Sequence, residues 1–202
     1  MSSKFGIRCI WSLLLIPLST AWAAAEKPVS AEQLEQALTK YQAIERLDVD
    51  FKQTKTLKDI QLDLKSEGHL TLELPGRVVW KVLKPQPMTV NLEQEKITIE
   101  SPTSKQTFSQ AENPSAKDRQ TFATMLTWLK LDAHAIAEKY TVLETGKNRF
   151  RFLSKDPNEP VIKSLEMQMD GAGHVAHLLF EEVSGDSIKL QFAKPKVIYK
   201  KK

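Results

Sequence analysis

The sequence predicts a mainly β domain in which one curved antiparallel sheet forms an incomplete, half-open barrel covered by helices. Three observations lead there. Over residues 60–74, Ile60, Leu62, Leu64, Leu70, Leu72 and Leu74 share one parity, while Gln61, Asp63, Lys65, Glu67, His69, Thr71 and Glu73 hold the other. That alternation gives a long strand one greasy face and one wet face. Shorter alternating runs separated by tight turns come before and after it, as expected of hairpin-connected neighbours. Two further stretches change to a helical period, so helices must cover one face of the sheet.

The chain opens with Lys4 and Arg8 ahead of an apolar run over residues 9–18 and the small-residue sequence Ala21-Trp22-Ala23. This is the pattern of a cleaved signal peptide at residues 1–23, leaving one domain at 24–202 and a periplasmic location. The run is far shorter than the roughly 20 residues that span a bilayer. The single cysteine, Cys9, lies inside it, so the mature chain is expected to lack disulfides, thiolate catalysis and cysteine-bound metal.

Ser30 and Gln33 form a capping-box pair before Leu34, Leu38 and Tyr41, and this predicts an amphipathic helix to about residue 46, its stripe widened by Ala37 and Ile44. The period then becomes two, with Leu47, Val49 and Phe51 against Asp48, Asp50 and Lys52. In the long strand that follows, Gly68 permits a bend and Pro75-Gly76 a turn. Strands over 77–83, 88–93 and 96–100 carry Val78, Trp80 and Val82, then Met88, Val90 and Leu92, then Ile97 and Ile99. After Pro114, Ser115 and Asp118 fit a helix start, and Phe122, Met125, Leu126 and Leu129 make a lid-like apolar stripe. Asp132 caps a shorter helix to Lys139. Strands then occupy 140–144, 149–153, 161–169, 174–183 and 187–192, with Asp170-Gly171 and Ser184-Gly185 as turns. The closing Lys194, Lys196, Lys200, Lys201 and Lys202 read as a solvated tail.

Chemistry is not visible in this pattern. His174 and His177 fall on opposite faces of a strand, with no convergent third ligand. Ser184 lacks the nucleophile elbow. Glu181 and Glu182 are adjacent and diverge, whereas acid–base pairs must face one bond. No glycine-rich phosphate loop occurs. The sequence therefore predicts no enzyme, no metal and no cofactor. The net charge of +4 falls to +2 without Lys4 and Arg8, which argues against a nucleic-acid partner.

Several short motifs, taken in order, resemble the periplasmic outer-membrane lipoprotein carriers, the LolA-like family. They are Phe51-Lys52-Gln53, Glu67-Gly68-His69-Leu70, Leu74-Pro75-Gly76-Arg77-Val78-Val79-Trp80, Pro85, Phe150-Arg151-Phe152, Asp170-Gly171 and Phe180. The resemblance implies a monomeric carrier whose hydrophobic cavity receives acyl chains of lipoproteins from an inner-membrane release complex and delivers them to an outer-membrane receptor. Strand parity and the lid stripe then assign the lipid-binding lining to Val49, Phe51, Leu62, Leu64, Leu70, Leu72, Leu74, Val78, Trp80, Val82, Val90, Leu92, Phe122, Met125, Leu126 and Leu129. Two departures stand out. Leu74 occupies the place where the family carries a lid-latching arginine before the motif proline, and outward-facing Arg77 is a poor substitute. The chain also stops soon after Phe192, without the family's extra C-terminal segment. A carrier for another acyl lipid or a polyene-type lipid, and a non-carrier module that recognises a partner through a sheet edge, are the alternatives.

Overall fold

The computed structural model describes residues 26–74, 76–93, 96–109, 128, 131–158 and 161–201. The expected signal peptide, Pro75, and the lid-stripe residues Phe122, Met125, Leu126 and Leu129 lie outside the described residues. Within them the order is β1 (Lys27–Pro28), α1 (Ala31–Gln42), β2 (Ile44–Leu57), β3 (Leu62–Glu73), β4 (Arg77–Lys84), β5 (Met88–Glu93), β6 (Lys96–Ser101), β7 (Ser104–Ser109), α2 (Ala133–Lys139), β8 (Tyr140–Gly146), β9 (Arg149–Ser154), β10 (Ile162–Met169), β11 (Val175–Glu182) and β12 (Ser187–Tyr199).

All twelve strands join one open sheet in the order β1-β8-β9-β10-β11-β12-β2-β3-β4-β5-β6-β7, every pairing antiparallel. Consecutive strands pair as hairpins on either side of a seam where β12 meets β2. Irregularities in register interrupt β3–β4, β8–β9, β10–β11 and β12–β2. Such bulges bend and twist a sheet locally, and they let a ladder this wide curl.

Helix α1 begins as its sequence suggests. The Ser30 hydroxyl accepts from the Gln33 amide and the Gln33 side chain accepts from the Ser30 amide, closing the capping box. Asp132 caps α2 by accepting from the Ala135 amide. From α1, Leu34, Leu38 and Tyr41 join Ala133 and Ile136 of α2, with Trp128 and Leu131, in one buried cluster with the apolar strand face. Two boundaries differ from the expectation. The first helix stops at Gln42, and Ile44 is a fully buried strand residue, because the chain turns at Ala43 to start β2. The lysine-rich end is no frayed tail: Lys196, Val197, Ile198 and Tyr199 pair with Asp48, Leu47, Arg46 and Ile44. A bulge where Lys194 takes φ 55 breaks the alternation there and hides the strand from a period-two reading. Strand β7, polar apart from Phe108, was likewise not expected.

The opposite face of the sheet is wet and cross-linked by charge. Arg46 Nε donates to Asp48 Oδ2 at 2.7 Å and Arg46 Nη1 to Glu73 Oε1 at 2.5 Å, while Arg77 bridges Glu73 and Glu93. Thr71 donates to Asp48 Oδ1 at 2.7 Å. The Arg46 guanidinium is the main reason the Asp48 carboxyl is held down at about 2, against an ordinary 3.8.

Two expectations follow. Gly68 sits at the β3–β4 bulge, where an added Cβ would lie 1.9 Å from the Lys81 carbonyl oxygen and 2.8 Å from the Phe51 ring. Gly68→Ala is therefore expected to destabilise the fold by about 3 kcal/mol or more in urea melts, since backbone cannot yield cheaply. Asp48 is bound deprotonated in the folded state, so its contribution is complete above pH 3.8 and is lost as pH falls toward about 2. Asp48→Asn should lower stability at neutral pH and flatten the loss on acidification in that window, as read by melts across the pH range.

Candidate functional site

Because β2 and β12 are paired, the apolar residues of both halves of the chain face the same concavity. Register places Phe51 beside Phe192 and Gly68, Leu190 beside Gln53 and Leu178, and Trp80 beside Leu70 and Val90. The helices fill part of this hollow. The rest is a cavity of about 430 Å³, within the range of small-molecule sites.

Its walls are Trp80 and Val82 of β4, Met88 and Val90 of β5, Ile99 of β6, Leu178 and Phe180 of β11, and Ile188, Leu190 and Phe192 of β12. Trp128, Val161 and Ile162 complete the apolar lining. Among the described residues two polar side chains interrupt it, Gln53 and Glu182. Glu182 Oε1 accepts from Lys55 Nζ at 3.0 Å. The Trp80 ring packs on Phe51 with centroids 4.1 Å apart and planes tilted by 32°, and this pair stands between the dry core and the cavity. Trp128 packs against Tyr140 and Phe152, and its buried Nε1–H finds no acceptor among the described residues. A second void of about 30 Å³, near His174, is bordered by Tyr41, Val49, Leu70 and Trp128. His174 itself bridges the Asp170 carboxylate and the Tyr199 hydroxyl, tying the β10–β11 turn to the end of β12.

Of the residues assigned from sequence, Trp80, Val82 and Val90 line the larger cavity. Val49 and Leu70 border the small void, and Phe51, Leu72, Val78 and Leu92 are packed core. Leu74 is half-buried against that core and its amide donates to the Glu45 carbonyl at 2.9 Å. Leu62 and Leu64 require correction. They keep the parity of Leu70 and Leu72, yet are 44% and 49% exposed and outside the lining. The β2–β3 hairpin outruns β4, which ends at Lys84 opposite Glu67, so the first residues of β3 have β2 on one side and no paired strand on the other among the described residues.

The unassigned lining comes chiefly from the second half of the chain. The cue is there, since Leu178 and Phe180, and Ile188, Leu190 and Phe192, hold one parity on β11 and β12. The seam that carries them beside β2 is not readable from local pattern. Gln53 and Glu182 give no cue, because hydropathy does not assign polar side chains to an apolar hollow.

The family model for the outer membrane lipoprotein carrier protein LolA matches residues 42–201. The chain belongs to the LolA family. The match takes in every strand from β2 to β12, and so the whole described lining of the cavity. No curated protein sequence matches the chain. Among solved structures, a LolA superfamily protein from Nitrosomonas europaea is 9% identical, with 84% of this chain and 94% of that one covered and a TM-score of 0.41. A chain of the Pseudomonas aeruginosa MucA/MucB complex is 14% identical, with 83% and 56% covered and a TM-score of 0.49. The Mycobacterium tuberculosis lipoprotein LppX is 11% identical, with 81% and 93% covered and a TM-score of 0.43.

The split of one LolA-family strand into a packed end and an uncovered end has a direct check. Leu72→Ala should cost about 2 to 5 kcal/mol, as for other fully buried leucines, whereas Leu64→Ala should stay within about 0.5 kcal/mol. Equal losses in chemical melts would contradict the register and burial of β3.

Proposed function

We propose that this protein is a periplasmic carrier that shelters acyl chains of lipoproteins in the cavity between its strands during transfer from the inner to the outer membrane. The observation that carries this reading is the cavity itself: about 430 Å³, walled almost wholly by aliphatic and aromatic side chains drawn from six strands. A chain that used those side chains only for stability would close the space, because unfilled volume forfeits dispersion contacts. Membership of the LolA family, whose model is that of a lipoprotein carrier, supports the same reading.

Binding needs no chemistry beyond transfer from water. Each methylene buried contributes about 0.8 kcal/mol, and among the described residues the one charged side chain of the lining, Glu182, is paired with Lys55. Leu74, packed on the core where the family carries an arginine, favours an acyl lipid other than a lipoprotein anchor as the second cargo class.

The experiment is a titration of the mature protein with an apolar fluorophore, followed by mass spectrometry of lipid extracted from protein purified from its own periplasm. Saturable one-to-one binding is expected. Val90→Trp, which fills the cavity from β5, should weaken binding about tenfold or more while leaving the far-ultraviolet spectrum unchanged. Absence of saturable binding by the unmodified protein would sink the carrier reading, and the extracted lipid would separate a lipoprotein anchor from another acyl cargo.

A further inference from the structure

We infer that the cavity is polarised and takes an acyl chain with an anionic oxygen head, carboxylate or phosphate, seated against Lys55. This rests on the acyl-carrier reading and adds the class of head group to it.

The concave face of β2 carries Leu47, Val49, Phe51, Gln53, Lys55 and Leu57 in one parity. The first three are buried core, and the polar pair comes next, toward the hairpin end. Lys55 lies in register with Ile188, a cavity wall, on one side and with exposed Leu64 on the other. Its stem therefore runs between apolar side chains, and its ammonium ends 3.0 Å from the cavity-lining carboxylate of Glu182. Lys55 and Glu182 side chains are 32% and 20% exposed, so the pair stands where the cavity meets water. An amphiphile laid along this face would place its tail among Trp80, Val90, Leu190 and Phe192 and its head at the pair.

The sign of the head follows from spare hydrogen-bonding capacity. An ammonium has three donors, and Lys55 gives one to Glu182, with no other acceptor among the described residues. Gln53, one step inward on the same face, brings amide donors to the lining with no protein partner among those residues. Glu182 is the more committed group: Oε1 takes the lysine, and Oε2 accepts from the Ser184 hydroxyl at 3.5 Å. Donors left over at the rim suit an oxygen-rich anion. A cationic head would compete with Lys55 for a carboxylate already engaged.

Competition against a bound apolar fluorophore, with ligands of equal chain length, tests this. Palmitate and cetyl phosphate should bind the mature protein about tenfold or more tighter than cetyl alcohol, the worth of one charge-assisted hydrogen bond. Cetyltrimethylammonium should bind no better than the alcohol. Lys55→Gln should erase the advantage of the anions over cetyl alcohol. Glu182→Gln, which frees the ammonium, should enlarge it. The double variant Lys55→Gln/Glu182→Gln leaves no charge unpaired and should behave as the single lysine variant, which separates loss of the cation from a damaged fold. An anion preference that survives both lysine variants, or a preference for the quaternary ammonium, would overturn the inference while leaving the carrier reading intact. Failure of the unmodified protein to bind even cetyl alcohol would overturn the carrier reading beneath it. Preference for palmitate over cetyl phosphate, or the reverse, identifies the head as carboxylate or phosphate.

Discussion

One constraint governs this molecule: twelve described strands share a single antiparallel ladder, so most of their apolar side chains fall on one face. A face that wide cannot be left in water, and the described helices are short, twelve residues in α1 and seven in α2. They cover one end, where Leu34, Leu38 and Ile136 are fully buried. The remainder of the face holds the cavity, whose walls among the described residues are strands apart from Trp128 and Val161. Core and cavity are thus two regions of one surface, divided by the tilted pair of Phe51 and Trp80 rings.

The same ladder explains why the sheet stays open. Its outermost strands are β1 and β7. The first has two residues, one of them Pro28, which has no amide hydrogen to offer a further strand. The second offers Ser104, Lys105, Gln106 and Thr107, a polar stretch poorly suited to sticking to another edge. The ion pairs on the wet face link β2 to β5, but exposed pairs contribute about 0.2 to 1 kcal/mol each. Register is held by the buried face, where a slip of one residue would turn a strand's inward leucines outward.

Local pattern carried much of this architecture. Alternation located ten strands, the capping box placed α1, and Asp132 placed α2, because each is a short-range device written within a few residues. What local pattern could not carry is pairing. The β12–β2 seam joins residues more than a hundred apart in sequence, and only that seam turns Ile188, Leu190 and Phe192 into neighbours of Phe51 and Gln53. The same limit explains Leu62 and Leu64. Their parity was legible, and it is the inward parity, but burial depends on a flanking strand that ends too soon. Lys55 and Glu182 belong to the same class, polar side chains whose position matters only once two distant strands meet.

On the carrier reading, those exposed leucines acquire a physical role in release. A carrier's affinity is tuned mostly through the rate of dissociation, and an acyl chain leaving a fully enclosed pocket would expose each methylene directly to water at about 0.8 kcal/mol. Here the apolar parity of β3 continues past the covered region, from Leu72 and Leu70 out to Leu64 and Leu62. Leu64 is in register with Lys55, whose ammonium sits at the carboxylate of the cavity wall. A departing chain can therefore slide along leucine side chains before it loses contact with protein, so the cost of exit is spread over the path instead of falling at one step. The same surface would receive an arriving chain, and the short β4 that leaves it uncovered is what makes transfer in both directions compatible with a deep apolar store.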